Sequence, residues 1–70
     1  MMEIDARGKL CPLPIIELAQ TLRSIETGSE VVLVSDDPAT AVDLVAWARM
    51  TGNEITHQEK ERFTIRKLAN

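Results

Sequence analysis

A single cysteine, Cys11, stands in the run Leu10-Cys11-Pro12-Leu13-Pro14. Proline fixes φ near the helical value and offers no N–H, so it suits a first helical turn and damages a helix further in. The run therefore predicts a helix starting here, with Cys11 as its N-cap, Pro12 first in the helix and Pro14 third. Free backbone N–H groups and the positive end of the helix dipole favour a thiolate at such a place. Pro14 removes one donor. Leu13 keeps its own, which makes its amide the expected backbone partner of the sulfur. Lys9, two residues upstream, is a nearby positive charge. The alternative for Cys11 is a small buried hydrophobe, the common fate of a free cysteine. Prolines on both sides of Leu13 argue against it. A two-cysteine redox cycle is excluded by the count.

The other chemistry-bearing residues have plainer explanations. His57 is the one histidine and reads as an exposed strand residue rather than a base for Cys11. Asp36 and Asp37 precede Pro38, and Asp37 reads as the N-cap of a second helix. Two neighbouring carboxylates without further ligands make a poor metal site, so no metal and no cofactor are expected. Arg62, Arg66 and Lys67 read as a solvated face, with docking of an acidic partner as the other possibility. Trp47 reads as half-buried packing.

The elements that position these groups follow from patterning. Met2, Ile4 and Ala6 alternate with polar residues and predict a short strand with those three facing inward. Arg7-Gly8-Lys9 is a loop, and Gly8 permits a sharp turn. From Pro12 the apolar spacing turns helical: Ile15, Leu18, Leu22 and Ile25 form a stripe that Ile16 and Ala19 widen. This helix should end before Gly28. Val31 to Val34 is short, β-branched and continuous, as in a central strand. The second helix buries Ala41, Leu44, Val45 and Ala48 and stops at Gly52. Glu54 to Glu59 and Arg62 to Leu68 form an antiparallel hairpin across Lys60-Glu61. The order is βαβαββ. The expected fold class is α/β (α+β), a two-layer sandwich with a four-stranded mixed sheet and two helices on one face. The other face is partly exposed, as Glu3, Asp5, Thr64 and Arg66 permit.

Seventy residues make one domain, expected over 1–70, with little room for an enclosed active site. This favours a carrier, a binding module or a subunit. A net charge of −3 and two aromatic residues, Trp47 and Phe63, argue against a nucleic-acid binder. No apolar run reaches membrane-spanning length. The N-terminal residues lack a signal-peptide pattern, and a small chain without disulfides fits a reducing compartment. The cytoplasm is the expected location, with no membrane partner.

Arg7-Gly8, Leu10-Cys11-Pro12-Leu13-Pro14, Gly28 and Ser35-Asp36-Asp37-Pro38-Ala39-Thr40, in this order and length, resemble the TusA (SirA-like) sulfur-carrier family. The resemblance covers essentially the whole chain, and its Cys-Pro-x-Pro element is the most specific part. It implies the βαβαββ sandwich and a sulfurtransferase-type role without independent turnover. In that role Cys11 accepts sulfane sulfur as a persulfide and passes it on in a sulfur relay or in sulfur oxidation. It implies a cysteine desulfurase or rhodanese-like donor and a DsrE-type or other acceptor protein, with Pro12 and Pro14 shaping the helix start. In the tRNA-thiolating branch the place between the two prolines is acidic. Here it holds Leu13, which sets the chain apart from that branch. The competing reading is a non-catalytic protein-interaction module in which Cys11 is incidental.

Overall fold

Alternating and continuous apolar stretches pair into one sheet in a computed structural model, which describes residues 2–10 and 12–68. The elements are β1 (Met2–Asp5), α1 (Leu13–Leu22), β2 (Glu30–Val34), α2 (Ala39–Thr51), β3 (Glu54–Glu59) and β4 (Arg62–Arg66). The strand order is β1-β2-β4-β3. β1 runs parallel to β2, whereas β4 is antiparallel to both β2 and β3. This is the expected mixed four-stranded sheet with β2 inside.

The register explains the two faces. Met2 and Ile4 align with Val31 and Leu33, which align in turn with Ile65 and Phe63. That row faces the helices. Ala6, Leu18, Leu22, Val31, Leu33, Leu44, Phe63 and Ile65 form one buried core, with Ile4, Ile15, Ile25, Ala41, Trp47 and Ile55 packed against it. Glu3, Asp5, Arg62, Thr64 and Arg66 take the opposite face. Val32 and Val34 lie on this helix-free face yet are only 6% and 7% exposed. Their cover comes from long side chains. Arg62 is aligned with Val34, and Glu3 with Val32. The Arg62 guanidinium donates to Glu3 Oε2 at 2.8 Å, so this pair crosses β2 obliquely. Arg66 pairs likewise with Glu30 at 3.1 Å. Aliphatic stems of such residues bury well while their heads stay wet.

Helix boundaries shift by a residue from expectation. Pro12 and Pro38 occupy the N-cap positions, and neither can supply a side-chain cap. Asp37 still does capping work from one residue further out, since its Oδ1 accepts the Ala39 amide at 3.0 Å. α2 ends where Gly52 adopts φ 76° and donates to the Ala48 carbonyl, a left-handed cap that glycine makes cheaply. Three expected core positions are corrected. Val45, Ile16 and Met2 are exposed. On α2 the inward line runs through Thr40, Leu44 and Ala48, and Val45 has rotated past its edge. On α1 it runs through Pro14, Leu18 and Leu22, which leaves Ile16 outside. Met2 opens an edge strand with nothing beyond it.

Lys67 is also corrected. It is buried, not part of a solvated face. Its ammonium donates to the Leu22 and Ile25 carbonyls at 2.6 and 2.7 Å. The Leu22 carbonyl ends α1, where a helix lacks internal donors and favours a cation, and the Ile25 carbonyl lies in the turn just beyond. No described helix is long and apolar enough to cross a membrane.

Candidate functional site

Parallel pairing of β1 and β2 brings the two strand-to-helix loops to the same end of the sheet. The hairpin turn joins them there, because the Ser35 amide donates to the Glu61 carbonyl at 2.9 Å. The β1–α1 loop leads towards Cys11, and its amides from Ala6 to Lys9 are engaged. Ala6 donates to the Val34 carbonyl at 2.8 Å and Lys9 to the Ala6 carbonyl at 3.2 Å. The Arg7 amide donates to Asp5 Oδ1 at 3.1 Å. The Gly8 amide donates to Asp36 Oδ1 at 3.0 Å. Gly8 takes φ 85°, and a Cβ there would meet nothing within 4 Å, so its need for glycine is conformational.

Asp5 and Arg7 make a closed pair at the loop entrance. The Arg7 guanidinium donates to both carboxylate oxygens, at 3.0 and 2.9 Å. Hydrogen bonds from the Arg7 side chain, then from its amide, hold the Asp5 pKa at about 2. Arg7 is raised in turn, first by its hydrogen bond to Asp5.

Cys11 itself, the expected N-cap, lies outside the described residues. Its neighbours do not. Leu10 is 72% exposed and Leu13 51% exposed, and Pro12 between them is exposed. Pro14 points the other way and is fully buried, so it anchors the first turn in the core as well as setting its backbone. The Leu13 amide, expected from sequence to face the sulfur, has a backbone acceptor among the described residues. It donates to the Leu10 carbonyl at 3.0 Å. The next bond, from the Ile16 amide to the Pro12 carbonyl at 3.0 Å, begins the helix. Lys9 forms an ion pair with Glu17 on α1. No acidic side chain stands in the first turn of α1, which leaves the positive dipole end uncompensated there.

The residues that sequence reasoning set aside stay apart from this loop. His57 is exposed, 3.8 Å from Glu59, on β3, the strand furthest from β1. Three strand spacings, about 14 Å, separate those two strands. Asp37 serves α2. Among the described residues no group of three His, Cys, Asp or Glu could hold a metal ion. Sequence reasoning missed Asp36, whose hydrogen bond joins loops 28 positions apart. Its one trace was the doubled aspartate, of which capping uses only the second.

The family model for "Sulfurtransferase TusA" matches residues 2–67. The chain belongs to the TusA family. Among curated relatives, this TusA-family chain is 36% identical over 72 residues to a protein of Archaeoglobus fulgidus named "Putative sulfur carrier protein", covering 97% of this chain and 99% of the other. It is also 36% identical over 69 residues to "Sulfur carrier protein TusA" of Allochromatium vinosum, with 93% and 91% covered.

Proposed function

We propose that this chain is a sulfur carrier whose working atom is the Cys11 sulfur. The observation that carries the reading is the join of loop to helix. A run of engaged amides ends at an exposed Leu10, and α1 opens two residues after the cysteine with Pro12 at its N-cap and Pro14 in its first turn. The relatives named as sulfur carriers support the same role.

The step is an exchange without net redox. The Cys11 thiolate attacks the terminal sulfur of a donor persulfide, R–S–SH. The new bond joins Cys11 sulfur to that sulfur, and the donor S–S bond breaks. R–S⁻ leaves, and the proton stays with Cys11–S–SH or passes to water. The reverse exchange on an acceptor thiol unloads the carrier. An ordinary cysteine pKa near 8.5 leaves a few per cent thiolate at neutral pH. A helix start adds about 0.3–1 kcal/mol in favour of the anion, which suits a carrier that must release what it takes. The persulfide is the more acidic species, so the same field favours it when loaded. Acid–base groups come from the partners, a cysteine desulfurase or rhodanese-like donor and a DsrE-type or other acceptor. The chain works as one domain over residues 1–70, in the cytoplasm.

Intact-mass measurement after incubation with a desulfurase and cysteine tests the proposal. The expected product is heavier by about 32 Da, one sulfur atom, and the adduct is absent in Cys11→Ser. No adduct with either donor class overturns the reading.

A further inference from the structure

Resting on the carrier reading above, we propose that Asp36 is a positioning residue for sulfur transfer, acting through the Gly8 amide on the loop that presents Cys11. Four consecutive amides, Ala6 to Lys9, each have an acceptor. Three of these acceptors belong to β2's backbone, to the last residue of β1 or to the loop itself. Only the Gly8 acceptor is a side chain from another loop, and Gly8 is three residues from Cys11. The bond lies at the surface, so its loss exposes an amide to water rather than burying an orphan donor, and global stability changes little. What changes is the path of the backbone into Leu10. Gly8 at φ 85° has wide conformational freedom once unclasped. Exchange at a persulfide requires the attacking sulfur to line up with the breaking S–S bond, so misplacement reduces rate.

Beyond its bond to Gly8, Asp36 lends Arg7 a weak electrostatic stabilisation, and the start of α2 is served by its neighbours. Asp37 caps α2. Ser35 and Thr40 form a buried hydroxyl pair at 2.8 Å. Thus Ser35, Asp37 and Thr40 secure the start of α2, and Asp36 reaches across to the other loop.

The test compares full-length wild type, Asp36→Ala and Asp36→Asn. Asparagine keeps an acceptor oxygen and removes the charge. Sulfur loading is followed by intact mass with a cysteine desulfurase and cysteine. Gly8 amide exchange is followed by NMR, and Cys11 alkylation by iodoacetamide reports thiol reactivity towards a small, undemanding reagent. We expect Asp36→Ala to load about 10-fold more slowly, with alkylation within about twofold of wild type and faster Gly8 exchange. Asp36→Asn restores both loading and exchange. Unchanged loading in Asp36→Ala, or an equal loss in both variants, overturns the proposal. Failure of the wild type to load overturns the carrier reading instead. Gly8 exchange then decides whether Asp36 holds the loop, and equal exchange in all three proteins refutes the clasp.

Discussion

Replacing Lys67 with methionine removes an ammonium while keeping most of its aliphatic stem in place. Two hydrogen bonds are lost, at 2.6 and 2.7 Å to the Leu22 and Ile25 carbonyls. Hydrogen bonds to charged groups contribute about 1.5–3 kcal/mol, and a cation at a helix C-terminus adds about 0.3–1 kcal/mol. Against this stand the rotamer entropy of an ordered lysine, about 2 kcal/mol, and the access of water to the partly buried Ile25 carbonyl. The balance is a loss of about 2 kcal/mol, which for a domain of this size corresponds to about 8–16 °C in Tm. Thermal unfolding followed by circular dichroism measures it. The far end of α1 provides a control. Ten residues span about 15 Å, beyond the screening length at physiological salt, so Cys11 alkylation in the folded variant stays at the wild-type rate. A Tm within about 2 °C of wild type would refute the claim that Lys67 secures the end of this helix.

Leu44 is fully buried beneath the sheet, and Leu44→Ala should cost about 2–5 kcal/mol, read from urea unfolding. Asp5 should titrate at about 2 in a carbon-detected NMR experiment, and Arg7→Ala should return it to the ordinary aspartate range. Because this pKa is depressed on folding, the stabilisation it contributes is present above the ordinary value of 3.8 and is lost as pH falls towards 2. Glu3→Gln breaks an exposed ion pair with Arg62. It should change stability by less than about 1 kcal/mol, and the difference should shrink further in high salt.

The hairpin was the most legible part of the chain. Glu54–Glu59 and the start of β4 at Arg62 fall where alternation and the Lys60-Glu61 turn put them. Local pattern and local pairing coincide there. Val31–Leu33–Val34 read as central because a sheet covered on both sides leaves no polar alternation, although one of the two covers is made of Arg and Glu stems. Lys67 was misread because burial of a lysine depends on carbonyls more than forty positions away, which no local pattern reports. The loop before Cys11 was legible in kind, as a glycine turn entering a proline-marked helix. Its clasp to Asp36 was not, since hydrogen bonds between loops carry no periodicity. The Leu13 amide was assigned to sulfur because prolines had removed its rivals. The bond of that amide to the Leu10 carbonyl is one that counting donors alone could not reveal.

One layer of helices is enough for this protein because arginine and glutamate side chains roof the opposite side of β2. A roof built from flexible stems asks only for length and opposite charge, whereas the helical side demands matched volumes. Surface chemistry on that side can therefore change at little cost to the core, while the helical side keeps its shape. The fold thus separates a face free to acquire new neighbours from a face bound to its own packing.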